Sequence, residues 1–443
     1  MDPVALSLIV SFAVLFLLLF SGVPISWSML LAGLIGFAGI GLLDRGFNLA
    51  TFTTWSLATR ESLICIPLYL LMGNLLFKTG MTSKLFDLAV NIFTRLRLKG
   101  GLAMAVVLAC GVFGAVSGSI AAAISTFGPV IIPEAQRHKY NKNFLASTLA
   151  ISGGLAYLIP PSLNLILFGI ITEVSIADLF MASLVPGIIL IVVFCAIIYL
   201  MVQIRPLLGS PPGMNQNISW QQTGKLVLDN IPIVIVIFII LGGIYLGWFT
   251  PTESSAAGVV AVLVLAIIGK NLEKDTLFTS IYGSARVFGM IFTLLIGAFT
   301  MAGFVSLSQA VAASGEYIKG LGLGAYAYLG AVFILYLILG CAIGSTGIMV
   351  LSLPILFPIA MELGIDPLMF GVFCCLSVAI AEVTPPMALN IYTMKGVAND
   401  PEVTTMGMFG LVWPFIIGIS LVTLLIVLYP QTCTWLPGSM YSI

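Results

Sequence analysis

The chain has 443 residues, of which 60% are hydrophobic and 8% charged, with 17 basic and 17 acidic side chains and one histidine. A soluble globular chain averages about 25% charged residues, so this balance excludes a soluble domain and predicts an all-α polytopic membrane protein. Zero net charge argues against a nucleic-acid partner, and the lone His138 cannot build a metal centre by itself.

In chain order, Met1-Asp-Pro carries no positive n-region, so the first apolar run, 4–21, reads as a retained span and not a cleaved signal. Spans at 24–43 and 63–77 follow. Residues 82–98 form an amphipathic pattern with basic residues at its end, which predicts a helix lying along the interface or packed on a partner subunit. The stretch 101–133 is apolar but broken by Ser117-Gly118-Ser119, and reads as a re-entrant hairpin. Spans at 144–172, which contains Pro160-Pro161, and at 183–203 complete the first half. A polar linker from Gln203 to Lys225 then leads to spans at 231–248, 253–269 and 284–308. A second hairpin, 326–361, is broken by Gly344-Ser345-Thr346-Gly347. The span 367–397, containing Pro385-Pro386, and a last one at 407–429 close the chain. Either hairpin can be drawn as two full spans without changing the parity of the crossings. The seven cysteines (65, 110, 195, 341, 374, 375 and 433) include no Cys-x-x-Cys pair and read as small apolar packing residues.

Lys and Arg set the orientation. Lys78, Lys84, Arg95, Arg97, Lys99, Arg137, Lys139, Lys142, Arg205, Lys225, Lys270, Lys274 and Lys395 fall in loops on one side. Only Arg45, Arg60 and Lys319 fall on the other, and Arg286 sits at the start of a span, where it can snorkel. The positive-inside rule makes the first side cytoplasmic and places both termini outside.

The strongest internal signal is a repeat. Pro129, Pro133, Pro160 and Pro161 recur as Pro354, Pro358, Pro385 and Pro386, each 225 positions later. With five crossings and a hairpin in each half, the second half enters the membrane inverted. The expected organisation is a first repeat at 1–205, a cytoplasmic linker at 206–229 and a second, inverted repeat at 230–443, the build of a secondary transporter.

Non-helical backbone in hydrocarbon costs several kcal/mol per unpaired group unless protein or a bound solute satisfies it. Two hairpin tips and two Pro-Pro breaks therefore predict a protein-lined cavity at mid-membrane. At a tip, free carbonyls of the incoming half-helix suit a hard cation, and free N–H groups of the returning one suit a carboxylate. A single Gly/Ser/Pro element is ordinary packing chemistry in membrane helices; four of them, duplicated in register, point to a binding centre. Ser117, Gly118, Ser119, Ser162, Asn164 and Glu382 are the candidate solute contacts, with Ser117 and Ser162 on the solute side. Ser119, Pro160, Gly344, Ser345, Thr346, Gly347, Thr384 and Asn390 are the candidate Na⁺ contacts. Glu382 stands out as an acid inside an apolar span, able to ligate a cation, carry a proton or meet a cationic group on the solute.

Gly111-Val-Phe-Gly-Ala-Val-Ser-Gly-Ser119, Gly128-Pro-Val-Ile-Ile-Pro133 and Gly153-Gly-Leu-Ala-Tyr-Leu-Ile-Pro-Pro-Ser162 resemble the large membrane subunit of tripartite ATP-independent periplasmic (TRAP) transporters. Pro354-Ile-Leu-Phe-Pro358, Leu363-Gly-Ile-Asp-Pro367 and Thr384-Pro-Pro386 resemble the second half of that family, and the likeness covers essentially the whole chain. The resemblance implies an elevator-type fold, in which a transport domain holding both hairpins slides against a scaffold. It also implies Na⁺ as the coupling ion with no other cofactor, import of organic acids across a bacterial inner membrane, a small four-helix membrane subunit and a periplasmic binding protein.

Two positions depart from the family pattern. Gly344 stands where the family usually has Asp, and Glu382 stands where it more often has an apolar residue or Gly. Glu382 is expected to return the missing carboxylate to the same cavity from the opposing element. The rival readings are a stand-alone anion carrier of the same architecture and a channel. An intramembrane enzyme is disfavoured, because the spans hold no nucleophile–base pair.

Overall fold

The computed structural model describes residues 3–81, 83–96, 98–209, 220–308 and 324–440, and these are helical with no strand among them. The core of the linker, 210–219, lies outside the described residues, as do Arg97 and Lys319. Among the described residues, eight helices are long and apolar enough to cross a membrane. Several of the apolar helices that fall short are those next to the predicted interruptions: Gly101–Ser117, Leu163–Thr172, Ala325–Gly340 and Pro367–Ala381. At 1.5 Å per residue, the 16 residues of Ala325–Gly340 reach about 24 Å, short of a ~30 Å hydrocarbon core.

The two halves follow one element order. The first hairpin is Gly101–Ser117 and Ile120–Arg137; the second is Ala325–Gly340 and Ser345–Glu362. In each returning arm two prolines sit inside the helix, 129 and 133 in the first and 354 and 358 in the second. The first broken span runs Lys142–Ser152, a 3₁₀ stretch Gly153–Tyr157, a break, then Leu163–Thr172. The second runs Pro367–Ala381, a break, then Leu389–Ala398. Both Pro-Pro bonds in the breaks are cis. After its broken span each half has one long helix, Ile176–Ile204 and Thr405–Leu428.

The halves exchange partners. Ser345–Glu362 of the second hairpin packs on Leu163–Thr172 of the first broken span, and Ile120–Arg137 of the first hairpin packs on Leu389–Ala398 of the second. Edge-to-face contact of Phe168 with Phe357 at 5.7 Å marks the first of these seams. Around this core lie Pro3–Phe20, Ile25–Gly39, Cys65–Lys78, Pro251–Ile268 and the long Lys274–Leu307, which packs against the second, the third and Leu43–Ala58.

Some elements differ from the sequence reading. Leu43–Ala58, a loop by hydropathy, is a helix seated on Lys274–Leu307, where tertiary packing supplies what a mixed polar composition does not. Within the stretch 206–229 expected as a linker, the chain is helical from Trp220 onward; the polar first turns of that helix hid it from an apolar window. Gln431–Met440 forms a further helix, packed on Ile176–Ile204 with Cys433 buried. The amphipathic helix is present as Ser83–Arg95 and lies against the first hairpin.

Candidate functional site

Each hairpin tip meets a broken span, but the two junctions are built differently. At the first tip, Ser117 ends the incoming helix and Gly118 turns the chain with φ +58°. A Cβ on Gly118 would lie 2.8 Å from the Pro161 carbonyl oxygen, so the turn closes directly on the first break. Gly73 allows the same closeness from the surrounding helices, since a Cβ there would stand 2.8 Å from the Ser117 Cα. Ser119 caps the returning helix by accepting from Ala122 N at 3.3 Å, and Ser119 N donates to Ser117 Oγ at 3.4 Å. A cavity of about 10 Å³, the size of one water, lies between Ser117, Gly118, Pro161 and Tyr69. At the break, Ser162 is fully buried and its hydroxyl donates to the Tyr157 carbonyl at 2.8 Å. Asn164 is 1% exposed and its side-chain Nδ2 has no hydrogen-bond partner among the described residues.

At the second tip, Gly344 takes the cap position at φ −73° and offers no side chain to the returning helix. The cap comes instead from the second break: Ser345 N donates to Glu382 Oε1 at 2.9 Å. The other carboxylate oxygen, Oε2, accepts from the Tyr157 hydroxyl at 2.5 Å. Tyr157 ends the 3₁₀ stretch that leads into the first break and lies 225 positions before Glu382, the repeat offset itself. Equivalent residues of an inverted repeat that touch must straddle the pseudo-two-fold axis, so this pair marks the axis of the interlocked core. Ser345 and Thr346 are half-buried and Gly347 is buried, while Pro385, Pro386 and Met387 are exposed. Thr384 Oγ1 donates to the Ile380 carbonyl at 2.7 Å, and Asn390 N donates to the Glu382 carbonyl at 3.3 Å. Asn390 is 5% exposed, and its Nδ2 has no hydrogen-bond partner among the described residues. Pro160, the last candidate, is buried beside Pro161 in the first break.

The candidates therefore gather at two junctions joined through Tyr157 and Glu382. Tyr157 escaped the sequence reading, although adding the repeat offset to it points straight at Glu382. Also missed was the bridge from the start of the first broken span to the loop that follows the second. Lys142 reaches Asp400 Oδ2 at 2.7 Å and Glu402 Oε2 at 3.0 Å, and the Asn143 side chain donates to the Glu402 carbonyl at 3.0 Å. The Lys142 ammonium, followed by the Glu402 backbone N–H, holds the Asp400 carboxyl below its ordinary range, and the two carboxylates raise Lys142. Arg60 donates to the Ile170 carbonyl at 2.9 Å and to Glu173 at 2.8 Å, tying the segment before Cys65–Lys78 to the end of the first broken span. Arg286 is exposed on its helix. Among the described residues no cluster of His, Cys, Asp and Glu could hold a metal.

Residues 12–432 match the family described as the tripartite ATP-independent periplasmic transporter, DctM component. The chain belongs to that family. The C4-dicarboxylate TRAP transporter large permease protein of Pseudomonas aeruginosa is 32% identical over 85% of this chain and 86% of its own length. The ectoine/5-hydroxyectoine TRAP large permease of Ruegeria pomeroyi is 27% identical over 97% and 99%. The sialic acid TRAP large permease of Vibrio cholerae is 26% identical over 95% and 96%. In fold, the chain is similar to the YdaH transporter of Alcanivorax borkumensis, with a TM-score of 0.59 over 87% of this chain and 88% of that one, at 14% identity. As a TRAP large permease, the chain is a multi-pass inner-membrane transport protein, and its relatives are permeases, not enzymes.

Proposed function

We propose that the chain imports organic acids across the bacterial inner membrane by Na⁺-coupled secondary active transport. It would act as the large permease subunit beside a small four-helix membrane subunit and a periplasmic solute-binding protein. The observation that carries this reading is the pair of tip–break junctions built from repeat-equivalent segments and linked at the pseudo-two-fold axis. Interrupted helices facing each other across a repeat interface are how membrane transporters assemble a midplane site.

In this reading the incoming half-helices present carbonyls to Na⁺, one ion beside each junction, with Ser119 and Pro160 at the first and Gly344 to Gly347, Thr384 and Asn390 at the second. The solute carboxylate lies at the first tip, by Ser117, Gly118 and Ser119, with Ser162 and Asn164 behind it. The amides of Asn164 and Asn390, unpartnered among the described residues, support a centre whose polar groups are completed by what binds. The core of hairpins and broken spans would slide as a body against the surrounding helices, with both termini periplasmic.

Uptake into proteoliposomes tests the reading. With this chain, its co-purifying subunit and the cognate binding protein, an inward Na⁺ gradient should drive accumulation above the external concentration. Uptake that only equilibrates, or that ignores the gradient, contradicts it.

A further inference from the structure

Glu382 is an acid buried in an otherwise apolar stretch. It is 5% exposed, and among the described residues no Lys, Arg or His lies within ion-pair distance of it. Its two oxygens accept one hydrogen bond each, from Ser345 N and from the Tyr157 hydroxyl. A carboxylate has about four acceptor positions, so roughly two remain open. Two neutral donors offset only part of the cost of burying a charge; a cationic partner would offset more.

Its position matters as much as its charge. The N–H end of Ser345–Glu362 is where the second hairpin would receive an anion from outside, because the helix dipole and free N–H groups converge there. The protein's own carboxylate already sits on that end. The first hairpin carries no such acid: Tyr157 fills the repeat-equivalent position, and the returning helix is capped only by the neutral Ser119. The first tip at Gly118 closes on Pro161, the adjacent Ser162 donates to the Tyr157 carbonyl, and the Tyr157 hydroxyl donates to Glu382, whose other oxygen caps the second tip. Beside Glu382 the surface opens at Pro385, Pro386 and Met387. A solute held between the tips thus meets an anion-receiving end on one side and a fixed carboxylate on the other.

We propose that Glu382 is a specificity-determining residue: the solute carries one carboxylate, received at the first tip, and a cationic group facing Glu382. A solute with carboxylates at both ends is disfavoured. The proposal rests on the permease reading above and narrows its substrate class to zwitterionic acids. A second carboxylate would confront Glu382 at close range, and like charges so placed repel in a desolvated site.

Three four-carbon probes that differ at the far end decide it: 4-aminobutyrate, butyrate and succinate. Their binding to the purified chain with its co-purifying subunit can be read as a concentration-dependent thermal shift in Na⁺. Wild type should bind 4-aminobutyrate at least about tenfold more tightly than succinate, with butyrate between them. Glu382→Gln should shrink that ratio to within about threefold, chiefly by tightening succinate. Tyr157→Phe, which leaves the charge in place, should keep the wild-type order. Succinate binding as tightly as 4-aminobutyrate in wild type overturns the proposal, and that comparison stands even if Glu382→Gln does not fold. An unchanged ratio in folded Glu382→Gln overturns it as well. No response to any of the three contradicts the carboxylate seat at the first tip, and therefore the permease reading beneath the proposal.

Discussion

The two tip–break junctions descend from one repeated sequence, yet one is sealed by backbone contact and the other is held by a single carboxylate. At the first, Gly118 closes on the Pro161 carbonyl, and both Pro160 and Pro161 are buried. At the second, no atom of the described residues beyond its chain neighbours comes within 4 Å of the place a Cβ on Gly344 would take, and Pro385 to Met387 are exposed. The difference shows how an inverted repeat becomes functionally asymmetric. The backbone interruptions repeat faithfully, while the side chains at the axis, Tyr157 and Glu382, diverge and assign the tips unlike electrostatics.

The sharpest way to break this comparison is to place a methyl group at each tip. Gly118→Ala puts a Cβ against a main-chain oxygen at a positive φ, and should cost about 2–5 kcal/mol, seen as a large fall in thermal midpoint and yield. Gly344→Ala should cost no more than about 0.5 kcal/mol by the same measurement. Equal losses would mean that the tips are equally tight.

Removing the link between the halves comes next. Tyr157→Phe deletes a buried hydrogen bond to a carboxylate and should destabilise by about 1.5–3 kcal/mol. A chemical-denaturation or thermal series that leaves this variant at wild-type stability would show that the axis pair contributes nothing.

The caps differ in kind as well as in place. Ser119→Ala loses a side-chain cap and should cost about 1 kcal/mol. Ser345→Ala keeps its backbone N–H on Glu382 and should be close to neutral. A reversed order in thermal midpoints would contradict the assignment of caps.

The smallest effect lies at the bridge from the first broken span to the loop that follows the second. Because Lys142 lowers the folded-state Asp400 carboxyl, its stabilisation is present above the unfolded value of about 3.9 and is lost as pH falls through the lowered one. Lys142 is raised, so its share is present below its ordinary value near 10.4 and is lost as pH rises through the raised one. Lys142→Met should flatten the acid limb of stability below about pH 4, with little change at neutral pH. An acid limb unchanged from wild type would remove the bridge from the account.

Much of this architecture was legible because membranes restrict the vocabulary. Spans, hairpin breaks and the amphipathic helix follow from hydropathy and from Gly, Ser and Pro placement, which bilayer physics enforces locally. Leu43–Ala58 and Gln431–Met440 were not legible, since their helicity depends on neighbours: Lys274–Leu307 for the first and Ile176–Ile204 for the second. The register of the prolines found the breaks, and the lone intramembrane acid found Glu382. What Glu382 touches depends on how the halves interlock, and no single segment states that. Tyr157, Asn143 and the Lys142–Asp400 pair were hidden for the same reason.

The central claim is that the two junctions bind the coupling ion. Its most direct test is the thermal stability of the purified chain with its co-purifying subunit, in Na⁺ against K⁺ at matched ionic strength. A ligand that binds only the folded state stabilises it by about 2.7 kcal/mol at a hundredfold excess over its Kd. The account predicts a Na⁺-specific rise in midpoint that shrinks in Thr384→Ala, which loses one hydroxyl at the second break. Identical curves in Na⁺ and K⁺ for the wild-type protein would contradict it.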